Sequence, residues 1–132
     1  MARIKDITFD TPHPAPIARF WAAALDGYAV APYDEAELER LRQLGIDSTE
    51  DDPTVVVEAG PGRARLLFQL VPEEKVTKNR VHLDLAIDSP DEQGFQAELD
   101  RLTGLGAVLQ ADHQQWVILT DPDGNEFCLT KH

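Results

Sequence analysis

His82 and Glu126 are the side chains whose types and settings in this sequence best suit metal or acid–base chemistry. Glu126 follows the turn Asp121-Pro122-Asp123-Gly124 and enters the alternating segment Asn125-Glu126-Phe127-Cys128-Leu129. If Phe127 and Leu129 face apolar packing, Glu126 and Cys128 point the other way. A carboxylate held just after a rigid turn suits a metal ligand or a general base. In the segment Val81-His82-Leu83-Asp84-Leu85-Ala86-Ile87, alternation sets His82, Asp84 and Ala86 opposite four apolar residues. In residues 4–11, Ile7 and Phe9 read as apolar, leaving Asp6, Thr8 and Asp10 on the other face. Gln69 shares a face with Leu67 and Val71. The polar faces thus collect Asp6, Thr8, Gln69, His82, Asp84 and Glu126. Imidazole and carboxylate donors suit zinc, non-haem iron, manganese or nickel.

Other residues of chemical interest have plainer readings. His13 lies between Pro12 and Pro14 and reads as a loop residue, and His113 reads as a hairpin-turn residue. His132 is terminal. Cys128 reads as a small packed residue rather than a nucleophile. Trp21, Phe68 and Trp116 suit a core, although the phase of Trp116 against Ile118 and Glu126 is open.

The elements that must position these residues repeat. Residues 4–11 alternate as a strand and are broken by Pro12, Pro14 and Pro16. Residues 15–25 carry Ile17, Phe20, Trp21, Ala24 and Leu25 at helical spacing, ended by Gly27. Residues 54–59 and 64–71 read as a hairpin across Gly60-Pro61-Gly62. The second half repeats the order. Residues 81–87 form a strand, and Ser89 with Glu92 reads as an N-cap and its N3 partner. Phe95, Leu99, Leu102 and Leu105 mark a helix closed by Gly104 and Gly106. Residues 107–112, 115–120 and 125–130 read as three more strands. Each half is a strand, a helix and a β-meander; Phe20 follows Asp6 by 14 residues and Phe95 follows His82 by 13. Aligned this way, Asp6 falls on His82 and Thr8 on Asp84. Residues 33–53 break the symmetry. They read as a short amphipathic helix ending at Gly45 and an acidic loop, either a surface insertion or a lid over a pocket.

The bulk properties narrow the partners. A chain of 132 residues suits one domain with a real core. A net charge of −12 argues against nucleic acid and anionic membranes, which need a basic footprint. A lone cysteine leaves no internal disulfide and fits a reducing, cytoplasmic setting. The first ten residues lack an apolar signal region, and no apolar run approaches a membrane span.

The doubled order, the string Arg80-Val81-His82-Leu83-Asp84-Leu85 and the ending Asp121-Pro122-Asp123-Gly124-Asn125-Glu126-Phe127 resemble the glyoxalase/bleomycin-resistance/dioxygenase group, the vicinal oxygen chelate superfamily. The closest likeness is to its small bacterial glyoxalase-like members. The resemblance covers nearly all of the chain, with residues 33–53 matched least. It implies an α+β fold of two βαβββ modules whose eight strands form a curved, mostly antiparallel sheet around a cleft. The chain would then be one glyoxalase-like domain spanning residues 1–132. Module one would span residues 1–72, with the insertion at 33–53, and module two residues 80–132.

Metal-dependent members of that group hold one divalent ion, two ligands per module, which acts as a Lewis acid on a chelating substrate. By resemblance the second-module positions fall on His82 and Glu126, with Glu126 also the catalytic candidate. The first-module positions fall on Asp6 and on Leu67 or Gln69; Leu67 cannot ligate. The resulting candidate ligand set is His82, Glu126, Gln69 and Asp6 around Zn, Ni, Mn or Fe, with Thr8, Phe68, Asp84 and Trp116 as candidate substrate contacts. Two functions follow. One is a metal-dependent lyase, isomerase or dioxygenase acting on a small oxygenated molecule. The other is a metal-free protein that binds or sequesters a drug-like compound, for which the acidic charge favours a cationic ligand. The resemblance also implies a homodimer.

Overall fold

The structure, a computed structural model, describes residues 1–89 and 91–131. It is α+β, with two compact units spanning Met1–Glu74 and Lys75–His132. The first contains β1 (Asp6–Thr11), α1 (Pro14–Ala24), β2 (Ala29–Val30), α2 (Glu35–Gln43), β3 (Thr54–Glu58) and β4 (Arg65–Leu70). The second contains β5 (Asp84–Leu85), α3 (Glu92–Leu105), β6 (Val108–Asp112), β7 (Trp116–Thr120) and β8 (Glu126–Thr130). The eight strands form two four-stranded mixed sheets, ordered β1-β4-β3-β2 and β5-β8-β7-β6. In each, the module's first strand runs parallel to its last, and the remaining pairs are antiparallel. The duplication read from the order of elements is therefore a duplication of topology.

Unit one is held by the apolar face of α1. Ile17, Ala18, Phe20 and Trp21 are buried, as are Val55, Val57, Leu66 and Phe68 of the sheet. The Phe9 ring lies 5.4 Å from Trp21 and 5.1 Å from Phe68, within the range of favourable aromatic pairs. In unit two the buried set is Phe95, Leu99 and Leu102 of α3 with Val117, Leu119, Phe127 and Leu129 of the strands. The odd/even alternation of β4 and β7 delivers these residues to one side and leaves the other to a mixture of polar and apolar groups, Arg65, Leu67 and Gln69 on β4 and Trp116, Ile118 and Thr120 on β7.

Three local readings are corrected. The cap of α3 is Asp91, whose carboxylate accepts from Gly94 N–H at 2.7 Å, so Ser89 is displaced from that role. Pro90, in the expected helix start, and His132 lie outside the described residues. The strand expected over residues 81–87 is only Asp84–Leu85. The short strand β2 has no counterpart in the sequence reading, because two residues carry no readable period.

Residues 33–53 fold as α2, capped by Asp34, and a one-turn 3-10 helix at Thr49–Asp51, capped by Ser48. Asp52 anchors them. Its buried carboxylate accepts from the Tyr33 hydroxyl at 2.7 Å, Arg40 Nη2 at 3.0 Å and the Thr54 N–H at 2.9 Å. Arg19 of α1 adds a two-bonded ion pair to Glu50 at 2.8 Å. The segment is thus folded structure tied down at both ends. Burial and the Asp52 carboxylate together raise the Tyr33 phenol above its ordinary pKa, so it stays neutral.

Candidate functional site

Cross-strand register assigns each candidate to a face, since directly paired residues point to the same side of a sheet. In unit two, Asp84 pairs with Cys128, Cys128 with Ile118, and Glu126 with Thr120. Trp116 pairs with Thr130 and therefore shares this face, which settles its phase. Trp116 is 40% exposed, and its ring stacks on His113 at 4.9 Å, with His113 in the β6–β7 turn. His82 precedes Asp84 by two residues and lies on the same side, its Nδ1 3.0 Å from Asp84 Oδ1.

The turn that delivers Glu126 is rigid for a stated reason. Asp121 is buried, and its Oδ1 accepts from the Asp123 N–H at 3.0 Å and the Asn125 N–H at 2.9 Å. The Asn125 amide adds bonds to both carboxylate oxygens, and Gly124 turns the chain at φ 89°. Replacing Asp121 with Ala strands two backbone donors, and we expect a loss of about 2 kcal/mol in urea unfolding.

Glu126 itself is occupied. Lys75 Nζ sits 3.1 Å from its carboxylate, and the Asn79 N–H donates to Oε2 at 3.0 Å. Burial works to raise the Glu126 pKa. The Asn79 N–H, its own N–H and the Lys75 ammonium outweigh burial and hold it below the ordinary carboxylate value. The donors that do gather are His82, Asp84 and Cys128, whose ligating atoms lie within 4.8 Å of one another. Burial, then the Asp84 carboxylate, pushes the Cys128 thiol up.

In unit one, Asp6 pairs with Arg65, Thr8 with Leu67, and Asp10 with Gln69. Thr8 and Gln69 are exposed, and Asp6 accepts from Arg65 Nε at 2.8 Å. Gln69 is four residues beyond Arg65, so its backbone stands roughly 13 Å along the sheet from Asp6. Ligands of one ion must bring donor atoms to about 2 Å from it, a reach that these two cannot share. Phe68 is fully buried against Phe9, which removes it from the substrate contacts; it belongs to the face opposite Leu67 and Gln69. If Asp6 matches His82, two residues back along the parallel pair Arg65 matches Glu126. The internal repeat thus sets the cation Arg65, rather than Leu67 or Gln69, at the position that matches Glu126.

The family described as a glyoxalase-like domain matches residues 6–130. The chain belongs to this glyoxalase-like domain family. The fosfomycin resistance protein FosX from Mesorhizobium loti is 13% identical, with a TM-score of 0.68 over 100% of this chain and 93% of that one. A glyoxalase/bleomycin resistance protein/dioxygenase family enzyme from Burkholderia phytofirmans is 13% identical, with a TM-score of 0.67 over 97% of each chain. A mutant FosX from Listeria monocytogenes, complexed with Mn(II) and 1S,2S-dihydroxypropylphosphonic acid, is 9% identical, with a TM-score of 0.65 over 99% of this chain and 90% of that one. No curated protein matches the sequence. At these identities the neighbours speak to the fold. In this glyoxalase-like chain, the implied four-position metal set does not fit the donors present. Glu126 and Asp6 each carry an internal cation, and Gln69 is out of reach of Asp6.

Among the described residues no helix is long and apolar enough to cross a membrane. Unit one carries a cavity of about 290 Å³ lined by Tyr33, Asp52, Thr54, Val56, Glu58 and Arg65, among others. Sequence reasoning missed this cavity, along with Lys75, Asn79 and Arg65.

Proposed function

We infer that this glyoxalase-like chain is a small-molecule binding protein that works without the four-position metal centre its resemblance implies. One observation carries the reading: the Glu126 carboxylate is already neutralised by Lys75 Nζ at 3.1 Å and bonded by the Asn79 N–H. A divalent ion there would have to displace an ammonium group. The Asp6–Arg65 pair supports the same reading in the other module.

The cavity in unit one supports a ligand of modest size, since its volume of about 290 Å³ is near the lower end of small-molecule pockets. Asp34 and Glu58 stand on its wall with Arg65, whose charge is spent on Asp6, while Glu37 and Asp52 are paired with Arg40. That balance, with the net charge of −12, favours a cationic molecule, and Tyr33 and Val56 offer it apolar contact. The setting is a cytoplasmic single glyoxalase-like domain acting as a homodimer. The exposed Val108 and Leu109 on edge strand β6 support self-association.

Amide-resolved NMR tests this reading. Benzyltrimethylammonium is expected to shift Tyr33, Thr54 and Glu58, and benzoate is not. Glu58→Gln should weaken the cation by about two- to fivefold, the scale of one half-exposed charge contact. Mn(II) should bind no tighter than about millimolar. Micromolar Mn(II) binding that Glu126→Gln abolishes would sink the proposal.

A further inference from the structure

We propose that His82, Asp84 and Cys128 form a binding site for one thiophilic divalent cation of the zinc class, with a ligand set other than the one the resemblance implies. The site is built from register. Asp84 and Cys128 are direct partners in the parallel β5–β8 pair, so their side chains leave the same face one strand spacing apart. His82 rejoins that face two residues earlier and reaches Asp84 at 3.0 Å. An imidazole nitrogen, a carboxylate oxygen and a sulfur, three different donor chemistries, meet within 4.8 Å.

A tetrahedral ion with bonds of about 2.0–2.3 Å sets its donors roughly 3.3–3.6 Å apart. The His82–Asp84 spacing is already near that figure. Closing the remaining gap requires little more than rotation of two side chains that are 43% and 60% exposed. Cys128 is held in the strand by its own N–H, which donates to the Leu83 carbonyl at 2.9 Å. The sulfur decides the choice of ion. A thiolate donor selects zinc or cobalt over manganese or magnesium, which prefer oxygen. Three protein ligands leave a fourth position for water or a donor atom of a bound molecule.

The site shares His82 with the set the family resemblance implies and takes Asp84 and Cys128 in place of its other three members. It also does not depend on the cationic-ligand reading of unit one. Cys128 must lose its proton to ligate, and burial and Asp84 favour the thiol, so binding releases a proton and tightens as pH rises. The Lys78 ammonium, which works to lower the Cys128 pKa, is the cation an incoming ion must tolerate.

Titration of the metal-free full-length protein with Zn²⁺ against a chromophoric chelator, and with Co²⁺ by absorption, tests the site. One Zn²⁺ per chain is expected in the micromolar range, and Co²⁺ should give a thiolate charge-transfer band. His82→Ala and Cys128→Ser should each weaken Zn²⁺ by more than the roughly 10–100-fold that losing an outer-shell partner costs. Asp84→Asn, at an exposed position that does not risk the fold, should weaken it and keep the cobalt–sulfur band. Glu126→Gln should change neither reading. Zinc no tighter than millimolar overturns the site. So does a cobalt complex without the sulfur band, or zinc lost in Glu126→Gln and kept in Cys128→Ser.

Discussion

Asp52→Ala is expected to lower the unfolding free energy by about 3 kcal/mol, the scale of removing one partner from a buried, hydrogen-bonded ion pair. The reason is the number of groups left behind. The carboxylate is 1% exposed and accepts from Tyr33, Arg40 and the Thr54 N–H. Alanine leaves the Tyr33 hydroxyl and the Thr54 N–H without that acceptor, each stranded group costing about 1–3 kcal/mol. Arg40 is 36% exposed and keeps Glu37, so solvent recovers part of its loss, which holds the estimate below the upper range. Asp52→Asn keeps an acceptor for Thr54 and should lose less. Urea unfolding of the two variants gives the comparison. Equal stability of wild type and Asp52→Ala would mean that the insertion is not anchored as described. Because Tyr33, Asp52 and Thr54 also line the cavity, Asp52→Ala should abolish the benzyltrimethylammonium shifts while α1 and the sheet remain folded.

That network shows why part of this protein was readable and part was not. The alternation along β4 is a local period, and it sets Gln69 on one face with Leu67; that Phe68 is buried on the opposite face, away from any substrate, did not follow from it. The repeated order of strand, helix and meander likewise became a repeated topology, because short connections constrain neighbouring strands. The Asp52 anchor is different in kind. Tyr33, Arg40 and Asp52 are brought together by a helix and a turn, and no spacing rule marks three such residues as partners. The helix ending at Gly45 was legible in residues 33–53, whereas the Asp52 anchor that pins the segment was not.

The candidate site divides along the same line. The faces of His82, Asp84, Cys128 and Glu126 follow from period-two alternation, and all four were assigned to the polar side. Their partners do not follow from it. Lys75 is 51 positions from Glu126 in sequence and lies outside any strand, so its ammonium reaches the carboxylate through a loop path with no periodic trace. Asp6 and Gln69 show the converse error. Each was placed on the right face, but along that face they sit at opposite ends, which only the register Asp6–Arg65 and Asp10–Gln69 reveals. Cys128 was read as packing filler because a small buried residue usually is. Its pairing with Asp84 is what makes it a donor.

Lys75→Met is expected to convert Glu126 from an internally paired carboxylate into an available one, and Mn(II) or Ni(II) affinity should rise by about ten- to a hundredfold. The scale follows from the interaction removed: a charge-assisted hydrogen bond contributes about 1.5–3 kcal/mol, and each 1.4 kcal/mol is a factor of ten. The ammonium competes with any ion for the same oxygens and repels it as well. Methionine keeps the apolar stem and removes both effects. The gain should vanish in the double variant with Glu126→Gln, which separates this position from the His82–Asp84–Cys128 site.

The same substitution has a pH signature. Glu126 has a folded-state pKa below its ordinary value, so its pairing stabilises the fold above the unfolded pKa and is lost as pH falls through the folded one. Lys75→Met should therefore be less stable than wild type at neutral pH. The difference should shrink as acid protonates the carboxylate. The Asn79 N–H still holds Oε2 in the variant, so the neutral-pH loss should stop short of that for Glu126→Gln combined with Lys75→Met. Unfolding free energies across pH 3 to 7 give the test. A pH-independent difference would mean that Lys75 stabilises the protein through its stem rather than its charge, and the obstacle to a metal at Glu126 would have to be sought elsewhere.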